Sequence, residues 1–236
     1  DMPSLKKYFK DYSLDLQRRF LKKNDLVIEV GCNDGIMLEN FKSKYKILGV
    51  DPATNVVLRT LKRNIPAIPE FFTSDISKKI SKEWGQAKLI IANNCIAHLN
   101  NLRDFMDGIS NLLKKNGVFV FECNYWGGMV KNVNYSLIYH DHFSYFSLNV
   151  WVKFAKKYKL NIFDALVTSA QGGSLRIFLS KSKFKKTPRF KKLLNEEKKS
   201  NLNSFKTSIQ YSKNVISTAN KLKNIVLNLK RQGKKI

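Results

Sequence analysis

Apolar runs alternate with stretches of helical periodicity from residue 26 to residue 180. Leu26-Val27-Ile28-Glu29-Val30 reads as a short buried strand, followed by a turn over Gly31-Cys32-Asn33-Asp34-Gly35. Ile36, Leu38 and Phe41 predict that a helix opens there. Ile47 to Val50 predicts a second strand ending at Asp51, and Asn55 to Lys62 a helix. A third strand over Ile65 to Ile68 is interrupted by Pro66 and should be irregular. Asp75 to Lys82 predicts a short helix with Ser74 as its N-cap. Lys88 to Ala92 is the fourth strand. The stripe Leu102, Phe105, Ile109, Leu112 and Leu113 gives a helix that Asn116-Gly117 should stop, and Val118 to Phe121 is the fifth strand. A helix over Asn149 to Tyr158 precedes two more strands, Ile162 to Val167 and Leu175 to Leu179.

This alternation predicts an α/β fold with a doubly wound parallel sheet. The close pair of strands after the fifth predicts an antiparallel edge hairpin, the way class I methyltransferase sheets end. From Arg189 the pattern becomes two amphipathic helices. The second spans roughly Phe205 to Leu229, with Ile209, Ile216, Leu222, Ile225 and Leu229 on or near one face. The expected division is therefore 1–182 as the α/β domain and 183–236 as a basic helical segment.

Composition adjusts this picture. The chain has 236 residues, enough for one sizeable domain with an appendage, and 43% apolar content argues against disorder. No run of about 18 apolar residues predicts a membrane span. Asp1 to Lys7 has no apolar core of a secretory signal. Three cysteines without short spacing exclude a disulfide scaffold and fit a reducing cytoplasm. The net charge of +25 suggests an anionic partner, but residues 181–236 alone supply +15 of it. That segment is rich in Lys, Asn and Ser, as a solvated surface would be, which makes nucleic acid an unlikely partner.

Ligands of open α/β sheets sit beyond the carboxyl ends of the strands. Polar or small residues cluster at four such ends: Gly31–Gly35, Asp51, Asn93–His98 and Glu122–Tyr125. A dinucleotide site wants G-x-G-x-x-G so that a pyrophosphate can rest on a helix N-terminus, whereas this loop reads G-C-N-D-G. Asp34 would repel a pyrophosphate but suits the amino group of S-adenosylmethionine. Asp51, 20 residues past Gly31, is placed to take both ribose hydroxyls. The expected cofactor residues are Gly31, Asn33, Asp34, Gly35, Asp51, Asn93 and Asn94, with S-adenosylhomocysteine as the product.

The three histidines, His98, His140 and His142, all fall in presumed ligand-facing segments. His140 and His142 should point to one side of an extended segment. Zinc is the competing reading, since Cys32, Cys95 and Cys123 all lie at strand ends near His98, but small strand-tip residues explain them more simply and no metal is expected.

Several motifs together carry a family resemblance: Val30-Gly31-Cys32-Asn33-Asp34-Gly35, Gly49-Val50-Asp51-Pro52-Ala53, Asn93-Asn94-Cys95-Ile96-Ala97-His98, Phe121-Glu122, Ile138 to Ser147 and Gly172-Gly173-Ser174-Leu175-Arg176. With them the chain resembles the S-adenosylmethionine-dependent sugar C-methyltransferases, which act on a carbon next to the ketone of nucleotide-linked 4-keto deoxysugars. The resemblance implies His142 as the base and Asp141, at the family's glutamate position, as its tuner. It also implies Tyr139 and His98 as groups that hold the sugar and stabilise an enolate oxygen. His140, Tyr145, Glu122, Asn124 and Arg176 are the expected substrate-binding residues, although Arg176 fits a structural ion pair equally well. The partner implied is a nucleotide sugar.

Two departures from the family accompany this resemblance. The cysteine-rich zinc module that usually comes first is missing from the chain, as is most of the C-terminal domain. Three alternatives stay open: an O- or N-methyltransferase of a sugar or other small molecule, a nucleic-acid-binding or -methylating protein using the basic tail, and a non-catalytic binding module. Against the second, the place of an Asn/Asp-Pro-Pro-aromatic segment is taken by Asn93-Asn94-Cys95-Ile96.

Overall fold

A central strand of a parallel sheet is covered on both faces, and Leu26–Val30 (β1) is buried at all five positions. It pairs in parallel with Lys46–Val50 (β2) on one side and Ala87–Asn93 (β4) on the other. Ala67–Ile68 (β3) extends the sheet past β2, and Leu113–Asn124 (β5) past β4. Ser174–Ser180 (β7) joins β5 antiparallel, and Asn161–Thr168 (β6) pairs antiparallel with β7 at the edge. In the computed structural model, which describes residues 3–235, the strand order is β3-β2-β1-β4-β5-β7-β6. Residues 1, 2 and 236, at the outer ends of the two expected segments, lie outside the described residues.

Eight helices are present among the described residues: Pro3–Phe20 (α1), Thr54–Lys62 (α2), Ser74–Trp84 (α3), Leu102–Leu112 (α4), Trp126–Asn132 (α5), Leu148–Lys156 (α6), Pro188–Lys199 (α7) and Phe205–Arg231 (α8). The period-two alternation of the strands splits the core into two layers. Ile28, Val30, Ile90, Phe119 and Phe121 pack with Phe105 and Ile109 of α4 and Trp151 of α6. Val27, Leu89, Ile91, Val118 and Val120 pack with Tyr12 and Leu16 of α1. No helix among the described residues is long and apolar enough to cross a membrane.

The structure corrects four local expectations. Ile36, Leu38 and Phe41 open only a single 3-10 turn, Leu38–Asn40. There the Asn40 amide donates to the Ile36 and Met37 carbonyls, and Gln17 of α1 donates to the Asn40 carbonyl, so side chains replace the next helical turn. Thr73 rather than Ser74 caps α3, its hydroxyl accepting from the Ile76 amide at 3.2 Å. Helix α4 stops at Leu112, and Asn116-Gly117 already lies in β5. His140 and His142 do not share a side, because Tyr139 to His142 form a turn closed by the His142 amide on the Tyr139 carbonyl.

Helix α1 is tied to the sheet through side chains on its buried face. Near its C-terminus, Arg19 bonds the fully buried Asp164 of β6 at 2.6 Å, and Arg189 of α7 grips the same carboxylate. Farther along, the buried Glu197 of α7 accepts from the Leu148 and Asn149 amides at 2.7 Å each, capping α6. Helix α8 makes its main contact through Tyr211, which packs edge-on to Trp126 and donates to the Asn134 carbonyl. Its stripe of Ile216, Leu222 and Ile225 is exposed.

Candidate active site

The turn after β1 is built on two left-handed glycines. Gly31 has φ +72°, and a Cβ there would sit 2.9 Å from Cys95 Cβ. Gly35 has φ +78° and is wedged against Thr60 and Ile65, each 3.0 Å from the position of a Cβ. Thr60 braces the turn by donating to the Asn33 carbonyl at 2.6 Å. Asp51, at the tip of β2, accepts from the Asn33 amide at 3.0 Å and the Ala53 amide at 2.9 Å. The two strand tips therefore hold one another in place.

Gly31, Asn33, Asp34 and Asp51 bound a cleft of about 550 Å³ together with Asn93, Asn94, Cys95 and His98, and Leu5 and Phe9 of α1 complete it; Gly35 shapes the turn without lining the cleft. Leu5, Phe9, Ile36 and Glu29 of this wall are not among the residues expected from sequence, and the one that carries chemistry is Glu29. It is buried on β1, and its Oε2 has no hydrogen-bond partner, nor have the Asn93 amide atoms or Asn94 Oδ1. Burial raises the Glu29 carboxyl well above its ordinary value, and the charges of Asp34 and Asp51 add to this. The signal was present in the sequence as one acidic residue inside an otherwise apolar strand. Buried polar atoms without partners, a glycine turn that admits close approach, and a carboxylate at the β2 tip fit S-adenosylmethionine, a ligand with hydroxyls and a charged amino acid end. Asp34 also lines the cleft, but Arg63 holds its carboxylate at 3.0 Å and reaches Glu39 at 2.8 Å.

Beside this cleft lies a small polar pocket of about 40 Å³, lined by Asn94, His98, Asn124, Tyr139 and His142 among others. The His98 and His142 rings are 4.8 Å apart, and Tyr139 packs on His142 at 4.0 Å. His142 Nδ1 lies 2.8 Å from the Leu137 carbonyl, which can only accept, so that nitrogen carries the proton. Nε2 is then the basic atom, and it accepts from the Tyr139 hydroxyl at 2.8 Å. The buried Asn124 amide nitrogen, 3.0 Å from Nδ1 and 3.5 Å from Nε2, packs against the ring; itself a donor, it can hydrogen-bond only to the unprotonated Nε2. His98 Nδ1 donates to the Asp141 carbonyl at 2.8 Å, which leaves its Nε2 free for a ligand. Tyr145 approaches His142 edge-on at 6.1 Å.

Other expected site residues lie elsewhere. The Asp141 carboxylate points to the exposed His140 at 3.1 Å and touches neither His98 nor His142; only its backbone serves the pocket. Glu122 and Arg176 are buried against one another at 2.9 Å beneath α1, with Tyr8 bonded to both. The three cysteine thiols are pushed up by burial, Cys95 to about 12, and among the described residues no group of His, Cys, Asp or Glu is arranged to hold a metal.

Comparison with known proteins agrees with this architecture. Residues 5–164 match the family model described as a methyltransferase domain. The chain belongs to that family. Residues 169–236 of this methyltransferase match a second model, the C-methyltransferase C-terminal domain, whose beginning falls within the β6–β7 hairpin. C-methyltransferase NovU from Streptomyces niveus is 34% identical over 166 residues, 70% of this chain and 40% of that protein. The chain thus spans well under half of that relative. Among solved structures, an S-adenosylmethionine-dependent methyltransferase from Clostridium acetobutylicum superposes with TM-score 0.55 at 15% identity, covering 74% of this chain and 91% of its own. Magnesium protoporphyrin IX methyltransferase from Synechocystis PCC 6803, solved with bound SAH, gives TM-score 0.58 at 11% identity, covering 75% and 83%. These likenesses establish a class I, S-adenosylmethionine-dependent methyltransferase fold.

Proposed function

We propose that this chain is the catalytic part of a C-methyltransferase that acts on the carbon next to the ketone of a nucleotide-linked deoxysugar. The observation that carries this reading is that Asn94 and His98 line both the glycine-turn cleft and the His142 pocket. A methyl donor in the first would therefore adjoin a base in the second. Methylation of oxygen or nitrogen needs a lone pair on the acceptor, whereas methylation of carbon needs a base strong enough to create one. His142, held through Nδ1 by the Leu137 carbonyl with Nε2 toward the pocket, supplies that base.

The Glu29, Asp51, Asn93 and Asn94 side chains with the Gly31–Gly35 turn would hold S-adenosylmethionine, which supplies an electrophilic methyl group when bound. His142 Nε2 takes the proton from the carbon next to the ketone. The Tyr139 hydroxyl, released from Nε2, donates to the oxygen that gains charge, and His98 Nε2 lies on the same pocket for that oxygen. Tyr145 packs edge-on to His142 and bonds the same Leu137 carbonyl, bracing the ring from outside the pocket. The segment 1–182 would carry this chemistry, and 183–236 would begin a further unit. In this account Asn124 is a positioning residue rather than a substrate contact, and Glu122 and Arg176 act from below the site.

The test needs no methyl donor. In deuterated buffer the protein should exchange the hydrogen next to the ketone of a nucleoside-diphosphate 4-keto-deoxysugar, and His142→Gln should not. Equal exchange by both proteins would remove His142 from the role of base.

A further inference from the structure

Helix α1 contributes Leu5 and Phe9 to the cleft, although it precedes the sheet that forms the remainder. Something must hold its first turns over the strand ends, because residues 3–7 are exposed and the first turn carries no acidic residue to favour it. The hold is Tyr8. Its hydroxyl donates to the Glu122 carboxylate, 2.6 Å from Oε1 and 2.7 Å from Oε2, and accepts from Arg176 Nη2 at 2.7 Å. Arg176 Nε in turn donates to Glu122 Oε2 at 2.9 Å, and the guanidinium lies over the Tyr12 ring one helical turn further on. Glu122 is the register partner of Asn93, a cleft residue, and Arg176 is the register partner of Glu122. A connected path thus runs from the cleft wall on β4, across β5 and β7, up to Tyr8 and its neighbour Phe9.

We propose that Tyr8 is a positioning residue for the methyl donor: clamped by the buried Glu122–Arg176 pair, it sets Leu5 and Phe9 as the apolar wall that closes the cleft over bound cofactor. This rests on the reading of that cleft as the cofactor site. It also gives the pair a purpose. A buried ion pair is weak as a source of stability, but it is a rigid anchor when a third group completes its hydrogen bonds. Tyr8 hydrogen-bonds the pair through its hydroxyl alone, so removing that one oxygen loosens the first turns of α1 while Tyr12 and Arg19 keep the rest of the helix in place.

The experiment titrates S-adenosylhomocysteine into the full chain by calorimetry for wild type, Tyr8→Phe and Phe9→Ala. In parallel, trypsin cleavage at the exposed Lys6, Lys7 and Lys10 is followed with and without that ligand. Tyr8→Phe should weaken binding by about tenfold, the scale of one hydrogen bond to a charged group, and Phe9→Ala should do likewise. The ligand should protect the three lysines in wild type but much less in Tyr8→Phe. A merely structural Tyr8 would not make the cleavage ligand-sensitive. Wild-type binding with an unchanged affinity in Tyr8→Phe would overturn the proposal while leaving the cofactor site standing. Failure of the folded wild-type chain to bind would overturn both.

Discussion

The Tyr139 hydroxyl donates to Nε2 of His142 at 2.8 Å, so the lone pair assigned to proton abstraction is already covered by a second acid–base group. Substrate entry must separate the two, and the hydroxyl it frees becomes a donor for the charge that forms. Tyr139→Phe should therefore keep some hydrogen exchange at the substrate carbon but lower its rate by about 10-fold to 10²-fold. His142→Gln should lose about 10²-fold to 10⁴-fold, the range for a positioned base. Both should bind S-adenosylhomocysteine as wild type does. Exchange rates by NMR and affinities by calorimetry separate these outcomes.

Glu29 predicts a trade between stability and binding. Its carboxyl is raised in the fold by burial, so the folded protein holds a proton that the unfolded chain releases above about pH 4.5. Stability is then lost as pH rises from that value toward the higher folded one. Glu29→Gln removes the cost of the buried charge. Its melting temperature should exceed that of the wild type, by roughly 2–4 °C for each kcal/mol relieved, with a larger gain at pH 8 than at pH 5. Its affinity for S-adenosylmethionine should fall. Scanning calorimetry across pH checks the first claim and titration the second.

Asp164 has the opposite sign. Burial alone would raise its carboxyl, but hydrogen bonds from Arg189, Thr187 and Arg19 outweigh this and hold it below the ordinary value. Its contribution is complete above the unfolded value near 4 and is lost as pH falls through the lower folded one. Asp164→Asn weakens the bonds to two arginines that both keep contact with water, and should destabilise by about 1–3 kcal/mol. Urea unfolding at pH 7 measures it. The wild-type midpoint should approach the variant's as the solution is acidified below about pH 4.

Gly31 should tolerate no side chain. Gly31→Ala combines a positive φ with a Cβ only 2.9 Å from Cys95 Cβ. The expected cost is about 1–3 kcal/mol from the backbone conformation alone, accompanied by loss of cofactor binding as the turn moves. Gly31→Ala with wild-type affinity would show that the turn does not contact the ligand.

Where the residues themselves decide the conformation, the sequence was readable. The apolar runs of β1, β2, β4, β5 and β7 sit where their side chains must be buried, and the glycines of the first turn occupy φ values that other residues avoid. The Asp51 tip and the clustering of His98, Tyr139 and His142 followed from strand order and motif. Two helices escaped. In α1 the stripe Phe9, Tyr12 and Leu16 is interleaved with Lys10, Asp11 and Asp15, and its helical state depends on the sheet it covers. In α5 two adjacent glycines argue against helix, yet Asn132 is reached before the left-handed Val133 ends it. Glu122 stands at a strand end, where a ligand-facing role is expected, and Arg176 fits a substrate contact and a structural ion pair equally; only the placement of α1 shows that the two pair with each other and face Tyr8. The aim of His140 was misread for a related reason: a turn, set by one backbone hydrogen bond, sends neighbours two apart in different directions.

The most direct test is the affinity of the folded chain for S-adenosylhomocysteine, measured by calorimetry for wild type and Asp51→Ala. The account predicts micromolar binding by the wild type and a loss of about tenfold or more when the β2 carboxylate is removed. Equal affinity in the two proteins would contradict the assignment of this cleft.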